Sequence, residues 1–228
     1  MRSEWVPVSA AALITGVMAL VLGQMLNPAG AESSPAGQML IAAEHPGRWL
    51  AMAILYFGAA AAMVLGMPSV MTLFQGRRGR GVGMVGIAVF TVGCVGVGAL
   101  AALMLMFRAL ALETLRADTV SATEIALVTA SLENRGLSVT LGVWVYGFLL
   151  GVLLIAIGLF RSRQVAMWVP MLLVAFLALQ AAAPLLGEGT LGRVGSALGL
   201  VLLAAGFTGV AVTAASPHHD GALRQSLV

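Results

Sequence analysis

The stretch Trp49–Phe74, WLAMAILYFGAAAAMVLGMPSVMTLF, followed at 75–81 by QGRRGRG, decides how the chain is read. It runs for 26 residues without one charge and ends on three arginines in four positions. At about 1.5 Å per residue a helix of that length reaches about 39 Å, enough to cross a hydrocarbon layer of roughly 30 Å with some tilt. Short loops rich in Arg are retained on the cytoplasmic side, so Arg77, Arg78 and Arg80 mark the inner end of this segment.

Composition places the whole chain in the same class. Mean hydropathy is +1.01, 60% of the residues are hydrophobic and only 9% are charged, against about 25% charged in a soluble domain. The sequence pI is near 10, yet the formal net charge is only +3. The arginines sit in turns between apolar segments, so they report topology and no nucleic-acid surface is expected. All twelve basic residues are arginine. The missing lysine removes Schiff-base chemistry, and the one cysteine, Cys94, excludes an intrachain disulfide and any multi-cysteine metal site.

Working outward, the sequence predicts an all-α polytopic bundle of six spans, at about 5–26, 49–74, 82–107, 137–160, 165–186 and 194–215. These form one transmembrane domain with a polar tail at 216–228. Ala29-Gly30-Ala31 resembles a signal-peptide cleavage site, but the preceding apolar run exceeds the usual core of 7–15 residues, so the first segment reads as a retained span. Two short outer surface helices are expected. The first lies in 27–48, with Ser34-Pro35 opening it, Pro46-Gly47 ending it and Trp49 at headgroup depth. The second follows Phe107 and a charged outer segment that opens at Arg108, with a capping box at Ser121-Ala-Thr-Glu124. Pro68 is expected to kink the second span.

Charge fixes the orientation. Arg2, Arg77, Arg78, Arg80, Arg161, Arg163 and Arg224 fall inside with only Glu4 and Asp220 beside them, whereas the outer segments hold five arginines and seven acids. Both termini are then cytoplasmic, in a bacterial cell membrane. A short internal echo accompanies this topology: Glu44-His-Pro-Gly47 with Phe57-Gly58 matches Glu133-Asn-Arg-Gly136 with Tyr146-Gly147 at a constant offset of 89. Parallel repeats of this kind occur in transporter folds.

The outer segment ending Ala42-Ala-Glu-His-Pro-Gly-Arg-Trp49, the long apolar span behind it, and the arginine turn feeding a glycine-rich span together resemble a family of six-span bacterial membrane proteins of actinobacterial type. That family is known as a domain of unknown function. The resemblance covers about the first two thirds of the chain; it implies the six-span architecture and brings no catalytic residues.

Chemistry is scarce. No Asp, Glu, Lys, Arg or His lies inside the predicted spans away from their ends, although ion-coupled carriers normally need such groups. No zinc-protease, paired-aspartate or Ser-Lys set lies at membrane depth, so no enzyme and no cofactor are expected. His45 falls outside and His218 and His219 inside, which excludes a bis-histidine haem within the bundle. Candidate packing positions are Cys94, Gly98 and Ala102 on the third span, Gly147 and Gly151 on the fourth, and Gly195 and Gly199 on the sixth, since small residues four apart let helices approach in lipid. Thr91, Tyr146 and Gln180 are candidates to line a solute path. Met63, Met67 and Met71 form an i, i+4, i+8 ladder, repeated at Met167 and Met171, which with Cys94 would suit Cu(I). Methionine is also a common filler of apolar gaps. The leading expectation is a non-enzymatic membrane subunit or scaffold that binds another membrane protein or its own copies. A channel or carrier for a neutral or apolar solute comes second, and copper handling third.

Overall fold

The computed structural model describes residues 5–28, 35–75, 77–116, 135–182 and 190–216. Every regular element among them is helical: α1 Trp5–Leu26, α2 Pro35–Glu44, α3 Pro46–Thr72, α4 Arg80–Arg116, α5 Arg135–Ser162, α6 Trp168–Ala182 and α7 Thr190–Ala215. Five of them, α1, α3, α4, α5 and α7, are long and apolar enough to cross a membrane. The 15 described residues of α6 are apolar but reach only about 22 Å. The second predicted surface helix and the polar tail beyond Ser216 lie outside the described residues.

The long helices pack in a ring whose order follows the chain. α1 packs on α3, α3 on α4, α4 on α5, α5 on α6, α6 on α7, and α7 closes back on α1, with a further contact between α3 and α7. The middle is filled by side chains. Phe90 of α4 lies 4.9 Å from the ring of Phe148 on α5 and 5.3 Å from that of Phe207 on α7, all three buried in the core. Tilted rings at these separations satisfy the aromatic quadrupoles while filling volume. The two units of the internal echo correspond to two helix pairs, α1 with α3 and α4 with α5.

Two local expectations are corrected and one holds in a way the sequence did not show. The third span does not stop at Phe107: α4 continues to Arg116, 37 residues in all and about 55 Å long. Arg108 to Arg116 holds charges but also Ala or Leu at 109–112 and at 115, with no Gly or Pro, so nothing there ends the helix. Pro46-Gly47 does end the first short helix, since α2 stops at Glu44, and Pro46 at once starts α3 with only His45 between them. Proline suits that first-turn position, where its missing N–H would have no partner anyway. The fifth predicted span begins, as α6, at Trp168 and not near Val165, after a turn in which Arg163 adopts φ 52.

Trp49 is likewise inside the protein. It is 2% exposed and its Nε1–H donates to the Met104 carbonyl of α4 at 2.8 Å. Arg108 Nε donates to the Pro46 carbonyl at 3.0 Å one helical turn further along. These two bonds and the seating of α2 on α3 and α4 pin the start of α3 to the C-terminal third of α4. Trp49→Phe keeps most of the buried ring and removes the donor; it is expected to lower unfolding stability by about 1 kcal/mol, read as a lower thermal midpoint in detergent. An unchanged midpoint would mean that the bond contributes nothing net.

Candidate functional site

Polar groups described inside the bundle are few and mostly serve the backbone. Pro68 sits within α3 and has no N–H to offer the carbonyl four residues back. Ser9 of α1 enters α3 at this point. Its Oγ accepts the Ser69 N–H at 3.0 Å and shares its own proton between the carbonyls of Leu65 at 2.9 Å and Gly66 at 3.0 Å. Ser69 Oγ donates to the Gly66 carbonyl at 2.7 Å. A proline is tolerated in a membrane helix when a neighbouring serine satisfies backbone groups near the break, and this cluster meets that requirement. Near the other end of α1, Tyr56 donates its hydroxyl hydrogen to Gln24 Oε1. Among the described residues no buried side-chain nitrogen or oxygen lacks a partner.

Close approach of backbones defines the remaining architecture. A Cβ at Gly151 would lie 2.5 Å from the Cα and N of Phe90, and one at Gly93 would fall on the backbone nitrogen of Phe148. Gly86 meets the Ile155 nitrogen at 2.7 Å and Gly158 the Gly83 Cα at 2.8 Å in the same sense. On α1 and α3, Gly16 faces the Met63 backbone and Gly66 the Leu13 backbone, at 2.7 Å each. In lipid, where apolar burial cannot hold helices together, such contacts let dispersion act along the whole seam.

The sequence candidates fall on different faces. Cys94 is fully buried, and Gly98, one turn on, would place a Cβ 3.7 Å from Ala60 of α3, an ordinary contact. Ala102 is exposed. Gly147 would meet Gly93 at 3.8 Å and Gly199 would meet Leu179 at 3.6 Å, again ordinary contacts, while Gly195 is buried on α7. The tightest positions on α4 and α7, namely Gly83, Gly86, Gly93, Gly206 and Gly209, were not singled out. A legible signal existed along α4 and the turn before it: Gly79, Gly83, Gly86, Phe90 and Gly93 follow a 4-3-4-3 spacing, the seam of a left-handed helix pair.

Of the solute-path candidates, Tyr146 is 72% exposed on the outside of α5, Thr91 Oγ1 donates to its own helix at the Ile87 carbonyl, and Gln180 is half-buried beside Gly199. Of the methionine ladder, Met63 and Met67 are buried and Met71 partly so, whereas Met167 and Met171 are exposed on the outer side of α6. No three His, Cys, Asp or Glu side chains come together among the described residues. His45 and Glu44 are exposed between α2 and α3, and His45 makes no side-chain cap to α3. An open groove of about 520 Å³ runs between α1, α6 and α7, walled by Met18, Trp168, Ala204, Thr208 and Val212. It contains none of the residues singled out from the sequence.

No protein-family model matches the chain, and neither the curated proteins nor the solved structures contain a match to it. The family resemblance therefore rests on the residues quoted for it. The all-helical fold, with five helices long and apolar enough to cross a membrane among the described residues, is that of a membrane-embedded helical bundle by length and composition.

Proposed function

We propose that the chain is a six-span protein of the bacterial cell membrane, with α6 and residues up to 186 as the fifth span and both termini cytoplasmic, and that it works as a non-enzymatic subunit or scaffold for another membrane protein. One observation carries this reading. Among the described residues the interior holds apolar side chains, close glycine seams and hydroxyls that mostly donate to backbone carbonyls, so its chemistry is that of helix contact and includes no cluster of acid, base and nucleophile. A binding partner would meet the outward faces, where Ile54, Phe57 and Leu65 of α3 and Val92 and Val95 of α4 are exposed. The carrier reading ranks second because Phe90, Phe148 and Phe207 occupy the middle through which a solute would pass.

Extraction of the intact protein from its native membrane in a mild detergent, followed by mass measurement of the assembly, tests the proposal. The expected result is a stoichiometric second protein. A lone monomer in every detergent, with nothing recovered by crosslinking in the membrane, would overturn it and make solute flux in liposomes the next measurement.

A further inference from the structure

Two arginine turns far apart in the chain meet at one corner of the bundle. Gly79 lies in the turn between α3 and α4 with φ +89, and a Cβ there would fall 2.7 Å from the Cβ of Arg161 and 3.0 Å from the carbonyl oxygen of Gly158. Only glycine combines that backbone angle with so close an approach. The contact sets Arg77, Arg78 and Arg80 beside Arg161 and Arg163, and all five side chains are exposed. Among the described residues no ion pair involves any of them. Among the residues whose side chains are described, the one carboxylate is that of Glu44 on α2, at the opposite end.

The arrangement is electrostatically unfavourable as it stands. Arg80 opens α4 and Arg77 and Arg78 lie just before it, where the helix presents the positive end of its dipole. An anion there would relieve both the mutual repulsion and the dipole term, and helix starts bind phosphate well. Depth tells which anion. Trp5 at the start of α1 and Trp168 at the start of α6 belong to the same end of the bundle and are 75% and 54% exposed. Ser9 ties the first of these helices to the end of α3, and Gly209 packs against Trp168. Exposed indoles mark the headgroup layer, so the guanidinium groups stand at the level of lipid phosphates.

We infer that the corner formed by Arg77, Arg78, Arg80, Arg161 and Arg163 is a binding surface for the phosphate headgroups of anionic phospholipid. This does not rest on the scaffold reading. Guanidinium groups take phosphate oxygens through paired N–H donors, which suits a lipid phosphodiester better than a diffuse ionic layer would.

The test uses full-length protein in mild detergent, with phosphatidylglycerol and phosphatidylcholine of identical chains in competition and bound lipid counted by native mass spectrometry. Phosphatidylglycerol is expected to be retained in preference. R77Q/R78Q/R80Q and R161Q/R163Q are each expected to reduce that preference by about fivefold per arginine removed, and added salt should weaken it in the wild type. R48Q, an exposed arginine at the other end, is the control and should change nothing. Lysine at the same five positions should keep part of the preference, which separates lost charge from lost folding. Equal retention of the two lipids, or a loss in R48Q as large as in the triple variant, would overturn the inference. Displacement of the lipid by inorganic phosphate at equal concentration would assign the site to a free anion and overturn the lipid assignment.

Discussion

Gly151→Ala and Gly93→Ala are each expected to lower the stability of the bundle by about 2–3 kcal/mol, in the upper part of the range for overpacking a closed interface. The reason is what the added methyl meets. At Gly151 it would lie 2.5 Å from the Phe90 backbone, and at Gly93 on the backbone of Phe148, and neither backbone can rotate away as a side-chain tip would. Separating α4 from α5 to make room would also pull Phe90 from Phe148 and Phe207 and open the centre. The comparison that gives the result its meaning is Gly98→Ala and Gly147→Ala. Their new methyl groups would meet atoms at 3.7 and 3.8 Å, ordinary contact, while the gain in helix propensity is about 1 kcal/mol. These two variants should match or slightly exceed the wild type. Thermal midpoints of the four variants in one detergent decide the matter, and equal losses at all four positions would mean that the α4–α5 seam is no tighter than its neighbours.

Ser9→Ala should come next in size, at about 1–2 kcal/mol, because it leaves the buried Ser69 N–H without the oxygen that accepts it. The decisive version is a double-mutant cycle with Pro68→Ala. Alanine at 68 restores an N–H to α3 and allows the helix to straighten, so the serine has less to repair. Ser9→Ala should then cost less in the Pro68→Ala background than alone, with a coupling of at least about 0.5 kcal/mol. Strict additivity would show that the serine stabilises the α1–α3 contact independently of the proline.

Much of the architecture was readable because lipid imposes simple rules. Apolar runs of spanning length, closed by arginine turns, locate α1, α3, α5 and α7 to within a few residues. The errors came where a rule about lipid was applied to residues that face protein. Trp49 beside Arg48 reads as an interfacial aromatic, yet α4 is long enough to cover it and to offer the Met104 carbonyl to its indole. The same length was hidden because Arg108, Glu113 and Arg116 look like a loop, although a helix that leaves the hydrocarbon meets no penalty for carrying charges in water. Glycines four apart drew notice to the α3-facing side of α4, while the tighter contact follows the 4-3-4-3 spacing towards α5. The role of Ser9 was not legible at all, since nothing local links residue 9 to a proline 59 positions later. Function was the least readable, for a physical reason: the interior is built from groups that hold helices and carries few that react.

The ring order has a consequence for how the bundle comes into being. Because α3, α4, α5, α6 and α7 each pack on the preceding member of the ring, each helix as it is made finds its partner already there, and short-range pairing of this kind favours rapid assembly. The contact between α7 and α1 is different. It joins the last helix to the first, and it brings Phe207 onto Phe90 only when the final span arrives. Until then the nascent bundle is an open arc with an unfilled centre, and closure of that arc is the step at which the chain commits to its finished form.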